Sequence, residues 1–412
     1  MKDVKMTYKL RTYLHMPVEA CGSHYELGYQ MGEQTGELLR ERLENLTFGS
    51  AYAPRSTWPS PEKYNVENYE EREPERHAEW DRMIRGLPEW ITEEMRGVSD
   101  GAKVPYEKVL IEPAHFPLMF GGPPEAGEDC NGFVAFGKAT LGGRTVVAGN
   151  SEGTTAGRRR LNVYSLKNPG GMSQVYAHSN PGCIGGRAGI NEAGLAVWGN
   201  GVSVYPDEYG YVGYDHHIAR RTVLETCSSV DEGVECLRKM KRLGGSRVFL
   251  GDEEKGAVVE YTSKHIAVIE PESHYQGGAS PSFSNPEMGD YHRVFVDETD
   301  PRFTYGLALK RGVFRTERIH ELLDERYGGL TPEMAPVICG DHGGKGTGLI
   351  TNDVDGACLQ GSDYTICVHG SKNGDAYHTS SWGVVLVPDH KHMYIAWGSP
   401  CQAEFVGYRV PR

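Results

Sequence analysis

Cys130 stands at the mouth of a predicted strand, Asn131-Gly132-Phe133-Val134-Ala135-Phe136, directly after the loose run Gly121-Gly122-Pro123-Pro124-Glu125-Ala126-Gly127. A Gly/Pro-rich loop that ends on a strand sets one peptide bond, Asp129-Cys130, between a mobile donor and a fixed acceptor. The thiol can attack the Asp129 carbonyl there, and hydrolysis of the resulting thioester frees the α-amine of Cys130. An α-amine titrates at about 8 and a cysteine thiol at about 8.5, so the two are matched for proton exchange near neutrality. The amine is covalently fixed beside the sulfur and needs no distant histidine as base. Taken alone the cysteine is a weak signal, because free cysteines are among the most buried residues and more often only pack.

The elements around this strand divide the chain into two textures. The first third reads as helical. Ser23-His24-Tyr25-Glu26 is a capping box, and Leu27, Met31, Leu38, Leu39, Leu43 and Leu46 follow at roughly helical spacing. Gly28, Gly32 and Gly36 lie four apart on one face, where they allow another backbone to approach closely. A polar, proline-punctuated region (50–75) precedes predicted helices over 79–97 and 106–111.

From Cys130 onward short strands and glycine turns dominate. Gly142-Gly143 turns the chain into the run Thr145-Val146-Val147-Ala148, a hairpin partner for the Cys130 strand. Strands over 188–190 and 195–198 flank the turn Asn191-Glu192-Ala193-Gly194. Asp215 and Ser229-Val230-Asp231-Glu232 begin two helices, to about 227 and 242. A meander over 247–250, 257–261 and 265–269 follows, then a helix over 316–326, a turn at Thr331-Pro332 and strands over 365–368, 382–387 and 393–397. This order predicts α+β layers with antiparallel sheets rather than a βαβ repeat.

Composition narrows the classes. The 412 residues include 53 glycines and 38% apolar residues, enough for a sizeable core joined by tight turns. A formal charge of −13 argues against nucleic acid or an anionic membrane as partner. No run approaches the length of a membrane span, and no apolar segment follows Met1-Lys2-Asp3-Val4-Lys5, so the expected location is cytoplasmic. Nine scattered cysteines without a C-x-x-C pair read as reduced thiols. Asp341-His342 and His216-His217 are the densest ligand-like pairs, but no third ligand lies at a recognisable spacing. No metal and no cofactor are expected.

Seven motifs in order resemble the acyl-coenzyme A:6-aminopenicillanate acyltransferase family of cysteine N-terminal-nucleophile (Ntn) hydrolases, relatives of the choloylglycine hydrolases. They are Gly22-Ser23-His24-Tyr25-Glu26-Leu27-Gly28-Tyr29-Gln30-Met31-Gly32, Glu94-Met95-Arg96-Gly97-Val98-Ser99-Asp100-Gly101-Ala102, Asp129-Cys130, Ala148-Gly149-Asn150-Ser151-Glu152, the pair Pro181-Gly182-Cys183-Ile184-Gly185-Gly186 and Gly189-Ile190-Asn191-Glu192-Ala193-Gly194-Leu195-Ala196-Val197, Phe283-Ser284-Asn285, and Thr365-Ile366-Cys367. The resemblance implies an αββα sandwich of two antiparallel sheets between helical layers. It implies cleavage between Asp129 and Cys130 into a helix-rich segment (1–129) and a β-rich catalytic segment (130–412). The two would stay associated in one domain.

The resemblance also assigns roles. Cys130 is nucleophile and, through its amine, base; Asn285 donates to the tetrahedral oxyanion; Glu152 holds the new ammonium. Asn131 and Asn150 line the substrate site; Asn200, in Trp198-Gly199-Asn200, either lines it with them or is a strand-end turn residue. The implied activity is hydrolysis of a linear amide of a small amine or amino acid through a thioester. The alternatives are transfer of the acyl group to an amine, or an uncleaved relative that only binds. The partner expected is a small-molecule amide, and a homo-oligomer stays open. Departures from the family pattern are Glu152 for Asp, Asn131 for Thr and Asp129 for Gly. The two histidines beside the oxyanion asparagine are lost, and no late arginine stands near His378-Thr379. They point away from penicillin precursors. Arg158, in Arg158-Arg159-Arg160, either grips a substrate carboxylate or belongs to a solvated charge run.

Overall fold

The computed structural model describes residues 16–44, 86–106, 109, 130–154, 161–202, 204–208, 210, 213–292, 305–345, 364–373 and 376–412; for 42–44, 154, 206, 305–309, 370–373 and 376–378 it describes the backbone alone. Within these residues two sheets lie face to face, with helices on both outer surfaces. The eight-stranded sheet runs β1 (Val18–Cys21), β4 (Asn162–Lys167), β5 (Gln174–His178), β6 (Ala188–Asn191), β7 (Ala196–Gly201), β8 (Ser246–Gly251), β9 (Gly256–Tyr261), β10 (Ile266–Ile269). The seven-stranded sheet runs β11 (Tyr275–Ala279), β2 (Asn131–Gly137), β3 (Gly143–Thr154), β13 (Ala376–Val387), β14 (His392–Ala396), β15 (Phe405–Arg409), with β12 (His369–Asn373) also paired to β13. All pairings are antiparallel except β1 with β4. Because β1 lies upstream of Cys130 and β4 downstream, the two parts of the chain share one sheet.

Side-chain alternation builds the layers. Along the Cys130 strand, Cys130, Val134 and Phe136 enter an apolar layer with Val163, Val175, Trp198 and Phe249 of the opposite sheet. Phe133 and Ala135 turn the other way, onto Ile319, Leu322 and Leu323 of α5 (Tyr305–Asp324) and Ile338 of α6 (Ala335–Cys339). The eight-stranded sheet buries its outer face under α1 (His24–Glu44), α2 (Glu89–Ala102), α3 (His216–Thr226) and α4 (Val230–Lys239). The four layers are those of the αββα sandwich.

The caps read from the sequence form. The Ser23 N–H donates to Glu26 Oε2 at 2.8 Å, Asp215 Oδ1 accepts from the His217 and Ile218 N–H groups, and Ser229 Oγ accepts from the Glu232 N–H. Within the described part of the helix predicted over 79–97, helix begins after Pro88, whose ring fixes φ and offers no N–H, and runs on to Ala102. Residues 79–85 lie outside the described residues, as does most of 106–111. The strand predicted over 365–368 does not form: its backbone is taken up singly, by Asp341 O, by the Ser380 main chain and hydroxyl, and by two asparagine side chains, and the strand begins at His369.

The glycine stripe of α1 meets a second stripe on α2. A methyl group at Gly28 would lie 1.9 Å from Glu94 O and one at Gly32 2.4 Å from Val98 O; at Gly97 and Gly101 it would lie 2.1 and 2.0 Å from the Tyr25 and Tyr29 carbonyls. The two backbones therefore touch, and no other residue fits these four positions. Gly97→Ala is expected to destabilise the protein by about 2 kcal/mol or more through overpacking. Gly170→Ala, where the nearest atom is 3.7 Å away, should shift it by under about 0.5 kcal/mol. Denaturant unfolding of both variants checks the contrast.

Candidate active site

Cys130 immediately precedes β2, which lies between β11 and β3. Its side chain is 1% exposed, and its carbonyl accepts from the Ser280 N–H at 2.9 Å, continuing the β2–β11 ladder. On the next residue the side chain changes face. Asn131 pairs in register with Asn150 of β3, and its Nδ2 donates to Glu152 Oε1 at 2.7 Å and to the Ile366 carbonyl at 2.9 Å. The Asn131 carbonyl accepts from the Trp198 indole N–H of the facing sheet at 3.0 Å. Trp198 reaches it only because Gly132 and Gly149 lack side chains: a methyl at either would lie 2.4 or 2.2 Å from the indole nitrogen.

Glu152 is the charged centre of this face. Arg315, from α5, donates through Nη1 to Glu152 Oε2 at 2.5 Å and through Nη2 to the Ser280 carbonyl, and neither side chain of the ion pair touches solvent. Both carboxylate oxygens of Glu152 are thus engaged, one by a guanidinium and one by Asn131. Such a pair in a low-dielectric layer is strongly interdependent, since removing one partner strands the other charge.

Asn150 and Asn200 bond to residues that also bond this centre, Ile366 and Ser280, whereas Asn285 lies in a separate turn. Asn150 Nδ2 donates to the Cys339 and Ile366 carbonyls at 2.7 and 3.0 Å, so it ties α6 and the 364–369 segment to β3. Asn200, at the end of β7, donates to Ser280 Oγ at 2.7 Å, and Ser280 Oγ donates to the Gly201 carbonyl. The Asn200 Oδ1 is buried with no hydrogen-bond partner among the described residues. Asn285 sits at the start of a short 3-10 turn, Pro286–Met288, where its Oδ1 accepts from the Glu287 N–H at 2.8 Å. Its main-chain N–H and that of Ser284 donate to the two oxygens of Glu260, itself paired in the core with Arg247 at 2.7 Å. With its oxygen so occupied, the Asn285 amide offers an NH₂ donor.

No direct hydrogen bond among the described residues joins Asn285 to Cys130; Ser280 is the bonded link between Cys130, Asn200 and Arg315. Asp129 and Arg158 lie outside the described residues. His216 and His217 form the first turn of α3, with His217 buried and pushed well below the ordinary histidine range by that burial. Burial likewise pushes the Cys339 thiol up to about 12, which makes it a poor nucleophile.

Ser280 and Arg315 escaped the sequence reading. Arg315 lies 163 residues from Glu152, and nothing in the local pattern of α5 distinguishes it from Arg311 or Arg318. The helix predicted over 316–326 also begins one residue too late to include Arg315, which the structure places inside α5.

A cysteine directly before an inner strand of one sheet, in a four-layer αββα sandwich, is the arrangement that the resemblance to Ntn hydrolases implies. Residues 145–334 match the sequence model of the family described as Acyl-coenzyme A:6-aminopenicillanic acid acyl-transferase, so the resemblance carried by the motifs is shown over that stretch; the match starts downstream of Cys130. A curated relative, an uncharacterized protein of Archaeoglobus fulgidus, is 24% identical over 348 residues, covering 76% of this chain and 55% of that protein. The chain thus spans about half the length of the curated relative it matches. Similar solved structures include the penicillin V acylase of Agrobacterium tumefaciens (16% identity, TM-score 0.40, covering 68% of this chain and 86% of that one). A Caenorhabditis elegans ortholog of N-acylethanolamine-hydrolyzing acid amidase aligns at 13% identity and TM-score 0.39, over 68% and 100%. Among the described residues no helix is long and apolar enough to cross a membrane.

Arg315→Met is expected to cost about 3–5 kcal/mol in stability, because it leaves the Glu152 carboxylate buried without its cation. Adding Glu152→Gln should recover most of that loss, since the amide oxygen still accepts from Asn131. Denaturant unfolding of the two single variants and the double variant gives the coupling.

Proposed function

We propose that the protein is an N-terminal-cysteine amidohydrolase that cuts itself before Cys130 and then cleaves a linear amide through a thioester. The observation that carries this is the place of Cys130: the opening residue of an inner strand, its carbonyl pinned by Ser280 and the next side chain clamped to Glu152, with a glycine- and proline-rich segment immediately upstream. A nucleophile needs this rigidity, because misplacement by an ångström costs orders of magnitude in rate.

In processing, Cys130 Sγ attacks the Asp129 carbonyl carbon and the Asp129-Cys130 C–N bond breaks as the nitrogen takes up a proton. Water then hydrolyses the thioester to the Asp129 carboxylate and the free thiol. In turnover, the liberated α-amine accepts the thiol proton, and the sulfur adds to the substrate carbonyl. The Asn285 NH₂ donates to the oxyanion, a role that suits a neutral donor whose oxygen is already engaged. The ammonium returns its proton to the leaving amine, and water releases the acid from the thioester. Glu152 acts as a positioning residue, holding Asn131 and, through Arg315 and Ser280, the carbonyl side of Cys130. The match to an acyl-transferase family supports acyl chemistry and favours a second reading, in which an amine replaces water in the last step.

Denaturing electrophoresis and intact mass of the purified protein should show two chains, residues 1–129 and 130–412. Cys130→Ala should remain one inactive chain. A single uncut chain with full amidase activity contradicts the proposal. Asn285→Ala in processed enzyme should lower kcat on the order of 10²–10³-fold with little change in KM. Partition of the acyl group between water and an added amine, read by mass spectrometry, separates hydrolysis from transfer.

A further inference from the structure

Three stretches distant in sequence meet beside Ile366, the residue whose carbonyl accepts from both Asn131 and Asn150. The segment after α6 brings His342, the 364–369 segment brings Cys367 and His369, and the turn after β14 brings Cys401. One nitrogen or sulfur atom from each of these four side chains lies within 4.8 Å of every other. His369 Nε2 is 3.5 Å from Cys367 Sγ and 3.2 Å from Cys401 Sγ, and the His342 and His369 rings lie 5.1 Å apart at 69°. His342 Nε2 is buried with no hydrogen-bond partner among the described residues.

These separations are close to those of a metal tetrahedron. With metal–sulfur bonds of about 2.3 Å and metal–nitrogen bonds of about 2.0–2.1 Å, a tetrahedral site has nitrogen–sulfur edges of about 3.6 Å and a sulfur–sulfur edge of about 3.8 Å. Two nitrogen–sulfur edges already stand near that value, and the widest pair need close by at most about 1.5 Å.

The scaffold is stiff where the ligands hang. Arg318 grips the Asp341 carboxylate with two hydrogen bonds of 3.0 Å, the Asp341 carbonyl accepts from the Cys367 N–H at 3.0 Å, and the Val368 N–H and carbonyl are bonded to Ser380. Cys367 and His369 are buried while Cys401 is exposed, which leaves the cluster open to a metal ion on one side. Two thiolates and two imidazoles select a soft or borderline divalent ion over magnesium or calcium.

We propose that His342, Cys367, His369 and Cys401 form a structural zinc site. Four protein ligands fill a tetrahedral ion and leave no position for substrate, so the ion would serve the fold rather than the reaction. It would tie three segments together and fix the Ile366 carbonyl under Asn131. Sequence spacing hides such a site, because only Cys367 and His369 are near neighbours. The proposal stands independently of the processing and chemistry assigned to Cys130.

The test is metal content of full-length protein purified without a metal-affinity step, challenged with Zn²⁺ and dialysed. About one zinc per chain is expected. Replacement by Co²⁺ should give thiolate-to-cobalt charge-transfer absorption and the strong visible bands of tetrahedral cobalt. His342→Ala and Cys401→Ser should each lose the zinc and the cobalt spectrum, whereas Cys21→Ser, at another exposed thiol, should keep both. A chelator should lower Tm in the parent protein and leave Cys401→Ser unmoved. Protein that takes up no zinc, zinc content unaffected by His342→Ala and Cys401→Ser, or a Cys367–Cys401 disulfide in freshly purified protein would each overturn the proposal.

Discussion

One buried ion pair, Arg315 with Glu152, joins the outer helix layer to the strands that carry Cys130. Each charge loses its water on folding, and the pair is tolerable because further hydrogen bonds satisfy both of its ends. Asn131 completes one end and the Ser280 carbonyl the other. Since Ser280 also binds the carbonyl of Cys130, a shift of the helix would be transmitted through two hydrogen bonds to the residue that opens β2. The cost of burying charge is thereby turned into a fixed position for one sulfur.

On the other face the constraint is steric. Gly132 and Gly149 make a gap in the seven-stranded sheet, and the Trp198 indole of the opposite sheet fills it and donates to the Asn131 carbonyl. Trp382 meets Trp198 edge-on at 5.6 Å, so large aromatic surfaces close the inter-sheet layer around Cys130. A thiol in such surroundings is dry, which strengthens any donor aimed at a developing oxyanion. Farther out, the paired glycine stripes of α1 and α2 bring two helices into backbone contact over the eight-stranded sheet.

What could be read from the sequence divides along range. The Ser23, Asp215 and Ser229 caps are local, decided within four residues, and all form. The 188–198 hairpin and the 247–269 meander are contiguous and appear as β6–β7 and β8–β10. Strands β1, β4, β5, β11 and β15 were missed because they are only four to six residues long and, except for the four-residue β1, lack clean alternation: both faces of β5 are buried, for example. The segment 365–368 misled because its apolar residues are buried by a loop whose main chain is bonded to side chains rather than to a neighbouring strand. Cys130, Asn131, Glu152 and Asn200 were visible through their motifs, whereas Arg315, Ser280 and the His342, Cys367, His369, Cys401 cluster exist only once distant segments meet. Asn150 is placed by its contacts as a tie between β3, α6 and the 364–369 segment, a duty that motif position alone does not reveal.

The proposed processing leaves a cysteine whose amine and thiol are both free on one residue. A 1,2-aminothiol condenses with 2-cyanobenzothiazole, and an internal cysteine does not form that stable ring. Active protein treated with this reagent should lose activity in step with one label per chain, recovered on a peptide beginning Cys130-Asn131-Gly132. Active protein that takes up no label at that residue, with Cys130 still joined to Asp129, would contradict the account.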